Sequence, residues 1–162
     1  MRNSKKSKQH LLLLVLSLLL LLLFWTKCSK AQKPTLQTVR DYARSQGLSN
    51  EQAKVVAAVA ANETGNFNSA LCKKCNNLFG MGVPKSWNGR YSSTYVGVEQ
   101  VFSCYSDWRH SVLDFIDWCN RYTKGIANDP ETQVRAMHSK NYFTGKLEDY
   151  IRNVKIWYQR AL

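Results

Sequence analysis

Glu63 is the residue of this chain whose setting points most directly to chemistry. It follows a run from Ala53 to Ala61 that is alanine and valine except for Lys54, and it is followed by Thr64 and Gly65, which read as a helix stop. A carboxylate at that end faces the negative pole of the helix dipole and, when partly buried, also loses hydration. Both effects raise its pKa. A carboxylic acid still protonated near neutral pH is what glycoside cleavage needs in order to protonate the leaving oxygen. The competing reading is a surface glutamate at a frayed helix end.

Cysteine and histidine offer less. Cys72-Lys73-Lys74-Cys75 has the spacing of half a zinc site or of a redox pair, and Cys104 and Cys119 follow later in the chain. A helix starting at Ser106 would hold Cys104 and Cys119 about 20 Å apart at ~1.5 Å per residue, beyond the ~7 Å Cα limit for a bridge. A four-cysteine zinc site therefore fails on geometry, and one structural bridge involving Cys72 or Cys75 is expected. His110 and His138 have no cysteine or carboxylate at ligand spacing and read as solvated surface. Neither a metal nor a cofactor is expected.

The elements that must position these residues are mostly helical. Leu36, Val39 and Ala43 form one face of a first helix that opens near Pro34 and stops at Gly47. Ser49 and Gln52 make a capping box for the second helix, the one that leads to Glu63 and is apolar all round, as a helix in the middle of a domain must be. Residues 65–105, rich in Gly, Ser, Asn and aromatics, predict loops and a short hairpin around Tyr91 to Phe102. Trp108, Val112, Phe115, Cys119 and Tyr122 share one face of a helix capped at Ser106 and stopped at Gly125. Asp129 and Pro130 open another with Val134 and Met137, and Leu147, Tyr150, Ile151, Val154 and Trp157 mark the last. The expected fold class is α+β, a mostly helical domain with one small β-hairpin.

Residues 1–31 are a different kind of segment. Leu11 to Trp25 is unbroken apolar sequence apart from Ser17, and Arg2, Lys5, Lys6 and Lys8 precede it. As a helix it would span about 22 Å, short of the ~30 Å hydrocarbon core, which favours a signal peptide over a stable span. Ser29 and Ala31 suit a cleavage site before Gln32, and an uncleaved signal anchor is the other reading. The chain thus divides into 1–31, a signal peptide or anchor, and 32–162, an exported domain. The chain's net charge is +12, and the six lysines and arginines of residues 1–31, with no acid, leave 12 − 6 = +6 on the domain. That excess favours a polyanionic partner without naming one.

The ordered stretches Asn62-Glu63-Thr64-Gly65, Asn77-Leu78-Phe79-Gly80-Met81-Gly82, Trp87-Asn88-Gly89, Phe102 to Trp108 and Asn141-Tyr142-Phe143-Thr144 narrow the choice. In order and spacing, over about residues 51–160, the sequence resembles the peptidoglycan N-acetylglucosaminidases of glycoside hydrolase family 73. The resemblance implies a lysozyme-like fold and hydrolysis of the β-1,4 bond after N-acetylglucosamine in murein. It further implies that Glu63 is the general acid, that Asn77, Phe79 and Gly80 belong to a substrate-binding cleft motif, and that Tyr142 is a catalytic-site tyrosine. Glu99 is the only acid in the hairpin available as a second catalytic carboxylate, in a register that fits the family pattern poorly. The mechanism after protonation therefore stays open among an inverting route with Glu99 as base, assistance by the substrate's acetamido group, and a route driven mainly by the acid. Trp87 is read as a cleft residue and Tyr105 as core, while Tyr91 and Tyr95 suit either sugar stacking or packing.

The expected partner is the peptidoglycan glycan strand, met by a monomer in the periplasm, envelope or medium. No nucleic acid is expected, and a membrane only through residues 11–25 if these are uncleaved. A lytic transglycosylase and a catalytically silent wall-binding domain are the alternatives.

Overall fold

The computed structural model describes residues 32–83, 89–97 and 100–161. The signal segment, Trp87 and Glu99 lie outside the described residues. No helix among the described residues is long and apolar enough to cross a membrane.

Each end of the second helix carries the chemistry expected of it. Helix α1 spans Leu36–Ser45 behind a Thr35–Thr38 capping box, and α2 spans Asn50–Thr64 behind the Ser49–Gln52 box. At its far end Gly65 takes the left-handed conformation, φ 55°, which glycine adopts without a Cβ penalty. The Thr64 hydroxyl donates to Ala60 O at 2.6 Å and accepts from Phe67 N at 2.7 Å, so the chain's exit from α2 is pinned on both sides.

Because α2 has no polar face, every element around it can pack against it. Ala53 and the run Val55 to Ala61 are all fully buried. Helices α1 and α6 (Leu147–Arg160) lie directly against α2, and α5 (Pro130–His138, capped by Asp129) packs on α6. Val39, Ala43, Val112, Phe115, Val134, Met137, Ile151 and Val154 complete the core, the positions that the 3- and 4-residue spacing selects.

The poorly periodic middle holds one helix that periodicity misses. Residues Ala70–Cys75 form the short α3, capped by the Ser69 hydroxyl, and six residues are too few to show a repeat. Strands β1 (Tyr91–Val96) and β2 (Val101–Tyr105) make the expected antiparallel hairpin, with a bulge between Tyr91 and Ser93. Gly82 bridges to Phe102, and Val83 N donates to Val101 O, so residues 82–83 edge onto the outer side of β2. Helix α4 spans Trp108–Tyr122. Its cap is Asp107, one residue later than the expected Ser106, because the aspartate side chain accepts from Arg109 N. It ends at Thr123 rather than Gly125, since Thr123 N and Gly125 N both bond the Cys119 carbonyl and close the helix there. His138 is exposed as expected, but His110 is half-buried.

Cys75 and Cys104 are disulfide-bonded, joining α3 to β2, while Cys72 and Cys119 are buried thiols. Burial pushes the Cys119 thiol up to about 12, which keeps it inert. The bridge closes a loop with a sequence separation of 29 residues, for which chain-entropy estimates give about 3–4 kcal/mol. Reduction, or the Cys75→Ser and Cys104→Ser pair, is expected to lower the melting temperature by several degrees in calorimetry. An unchanged transition would show that the loop is held by its other contacts alone.

Candidate active site

Glu63 occupies the last turn of α2, where the buried helix runs out into a cleft of about 830 Å³. Lining it are Glu63, the loop Asn77 to Val83, Phe102 of the hairpin, the outward face of α4, and the segment Lys140 to Tyr142 that follows α5. The cleft therefore assembles residues from across the sequence around one carboxyl group.

The surroundings of that carboxyl disfavour its ionisation. Burial pushes the Glu63 pKa up, and a hydrogen bond from the Tyr150 hydroxyl to Oε1 partly offsets the rise by favouring the carboxylate. Tyr150 is fixed in turn by stacking on Phe143, with ring centroids 3.9 Å apart and planes 9° from parallel. Its own ionisation is driven well up by burial, so it remains a donor. On the other side of the acid, a Cβ built on Gly80 would lie 3.9 Å from Glu63 Oε2. Gly80 has φ +63°, a conformation that L side chains rarely adopt, so its lack of a side chain keeps both the turn and the space beside the acid.

The Asn77-to-Gly80 motif does reach the cleft, but Asn77 works behind its surface. Its Nδ2 donates to Met81 O and Ser103 O, both at 2.9 Å, and its Oδ1 accepts from Phe79 N at 3.3 Å and Met81 N at 3.0 Å. With 1% of its surface exposed, the amide has no capacity left for a sugar. The substrate-binding expectation for Asn77 thus becomes a positioning one: it ties the loop beside Glu63 to strand β2. The Phe79 ring is likewise buried, stacked on Phe115 at 4.2 Å, so it forms the floor of the cleft rather than an open wall.

Tyr142 is brought to the cleft as expected, at a helix exit after Asn141, whose φ is 55°. Its ring packs edge-on against Trp118 at 4.8 Å and Phe115 at 6.0 Å. Its hydroxyl already donates to the Phe79 carbonyl at 2.5 Å, which ties the late segment to the loop of the acid. Only oxygen lone pairs remain for a ligand, since the phenol proton is committed to that carbonyl.

Two further carboxylates line the cleft, and both are engaged. Arg90 bonds Asp114 at 2.9 Å and Asp117 at 2.5 Å. Asp114 also accepts from the buried Tyr105 hydroxyl at 2.7 Å, which places Tyr105 in the core as expected. Tyr95 is 38% exposed and faces solvent. Neither Tyr150 nor the Arg90 cluster was singled out from sequence, although each had a signal. Tyr150 is a hydroxyl on an otherwise aliphatic face, and Asp114 is an acid one residue before the core Phe115; such groups need partners when buried.

Comparison with known proteins follows from this geometry. The profile of the family described as mannosyl-glycoprotein endo-beta-N-acetylglucosaminidase, the glucosaminidases, matches residues 38–161. No curated protein matches the chain. Among solved structures, a peptidoglycan hydrolase from Sphingomonas sp. A1 is similar with a TM-score of 0.58 and 20% identity, over 78% of this chain and 92% of that one. The catalytic domain of the autolysin Auto from Listeria monocytogenes gives 0.51 and 20%, over 84% and 90%. A chain in a type VI secretion effector–immunity complex from Pseudomonas protegens gives 0.55 and 18%, over 75% and 86%. At these identities the likeness is one of fold.

Tyr150→Phe removes the one hydroxyl bonded to Glu63 Oε1 and leaves burial unopposed, so the Glu63 pKa should rise further. The alkaline limb of the kcat profile on a glycan substrate is expected to move to higher pH, with an overall fall in rate from the loosened carboxyl. An alkaline limb that stays put or moves to lower pH would remove Tyr150 from the site.

Proposed function

The chain belongs to the glucosaminidase family, a family of glycoside hydrolases, and from that footing we propose that it cleaves the β-1,4 bond after N-acetylglucosamine in peptidoglycan, with Glu63 as the general acid. The observation that carries the assignment is the contrast among the described carboxylates of the cleft: Asp114 and Asp117 are ion-paired with Arg90, whereas Glu63 has no ion pair and burial pushes its pKa up.

In this reading the Glu63 O–H donates its proton to the glycosidic oxygen as the bond from C1 breaks, and the leaving sugar departs as an alcohol. Tyr150 holds the carboxyl in place and stabilises the carboxylate that is left. The Gly80 turn leaves room for the leaving oxygen beside Oε2. Asp114 and Asp117 are engaged by the Arg90 guanidinium, so C1 is captured by water or by the substrate's own acetamido oxygen. Glu99 enters only as the residue outside the described segments that would act as base in an inverting route.

Peptidoglycan as substrate is supported by the family and by the named activities of two fold neighbours. A net charge of +6 on residues 32–162 suits an anionic wall polymer. The same reading puts the enzyme in the cell envelope or outside it, after export directed by residues 11–25. The Cys75–Cys104 bond fits such an oxidising compartment.

Glu63→Gln keeps the size of the side chain and its acceptor for Tyr150 but cannot deliver a proton. Murein digestion, followed by reducing-end analysis, should show N-acetylglucosamine ends for the wild type and a loss of about 10²–10⁴-fold in the variant. Anhydro-sugar ends instead would make the enzyme a lytic transglycosylase. Stability should move the other way. The folded Glu63 pKa is raised, so unfolded Glu63 releases its proton first and wild-type stability falls as pH rises from the ordinary carboxylate range through the folded value. The Gln variant lacks that loss, and its melting temperature should exceed the wild type's at neutral pH and match it near about pH 4.

A further inference from the structure

One part of the cleft lining, next to Tyr142, is used by neither the acid nor its loops. It is built from the last turns of α4 and the loop after α5. Trp118 and Tyr122 are one helical turn apart and tilt against each other with centroids 5.4 Å apart, and Tyr122 is 47% exposed. An aromatic shelf open inside a cleft suits the apolar face of a sugar ring. The Arg121 guanidinium lies over the Tyr122 ring, 5.9 Å from its centroid, and Lys140 lines the same cleft.

The charges here are not neutralised by ion pairs. Asp117 precedes Arg121 by four residues on one helix, the spacing and order that ordinarily pair a carboxylate with a cation. Asp117 bonds Arg90 instead. Among the described residues no ion pair joins Arg121 or Lys140 to a carboxylate; Arg44 and Arg160 share this lack, but they do not line the cleft, whereas Arg121 and Lys140 do. Two cations are thus left facing a cleft, next to a surface made for a pyranose.

We propose that this part of the cleft is a subsite for the carboxylate-bearing sugar of the glycan strand, with Trp118 and Tyr122 packing against the ring and Arg121 and Lys140 binding the acidic substituent. The inference rests on the peptidoglycan reading and sharpens it: the enzyme discriminates strands with carboxylates from neutral amino-sugar polymers. A neutral strand offers the same ring and acetamido group but nothing for the cations. The carboxylate belongs either to the sugar's own lactyl group or to a peptide attached to it, and both have the same chemistry toward Arg and Lys.

The test measures binding by the full chain carrying Glu63→Gln, with and without Arg121→Ala and Lys140→Ala. Three labelled probes are used: murein strands bearing peptides, strands stripped of peptides so that the lactyl carboxylates are free, and chitohexaose. The background protein should bind both kinds of strand more tightly than chitohexaose. The added pair should weaken at least one acidic probe by about fivefold or more and flatten its salt dependence, while chitohexaose changes by less than about twofold. Whichever acidic probe loses more identifies the source of the carboxylate. Both side chains are exposed, so the melting temperature should not change, and Arg121→Lys should restore part of the affinity. Equal losses on all three probes, or none on the acidic ones, would overturn the proposal. Failure of the peptidoglycan reading is separate: murein left intact by the wild type and no binding of any probe by the background protein.

Discussion

The burial of a single carboxyl group against a single phenol is the constraint around which the domain is arranged. In its proposed role Glu63 acts as an acid while desolvation outweighs the Tyr150 hydrogen bond, and that balance depends on where two helices sit. Helix α2 supplies the carboxyl at its end and α6 supplies the phenol near its start, and the two pack directly against each other. Sliding either helix by one turn would move its group by about 5.4 Å and separate the pair. The apolar faces of α2 and α6 therefore fix the chemistry as well as the stability.

The rest of the cleft is held to this pair by polar ties that run through backbone. Asn77 joins the Gly80 turn to β2, the Tyr142 hydroxyl joins the late segment to Phe79, and Arg90 joins the start of the hairpin to α4. Each tie leaves little freedom for its own groups. The residues that give the motif its signature thus organise the surface that a substrate would meet, and the atoms exposed at that surface come mostly from their neighbours.

Where sequence and structure agree, the agreement has a local cause. Caps such as Ser49 with Gln52, and Asp129 with Pro130, act within four residues, and the amphipathic faces of α1, α4 and α6 repeat often enough to be read directly. Glu63 was legible because the run before it is so uniformly apolar and the stop after it so abrupt. What escaped depends on pairs far apart in the chain. Tyr150 lies 87 residues from Glu63, and Arg90 lies 24 from Asp114. No periodicity links such partners, although Tyr150 and Asp114 are each a polar group on a face that had to be buried. Asn77 shows the same limit: its type and position were visible, but the backbone atoms already bound to it were not.

The alanines and valines of α2 carry a consequence for mutational tolerance. A helix walled on every side by small, fully buried side chains lets its neighbours approach closely, and there is no slack into which an added methyl group could grow. Enlarging Ala57, Ala58 or Ala60 would have to push a neighbouring helix outward, and Glu63 lies one to two turns away along the same rod. Random mutagenesis would accordingly find inactive but still folded variants at positions that no sugar ever reaches, so sensitivity to change would trace the axis of a helix rather than the outline of a binding site.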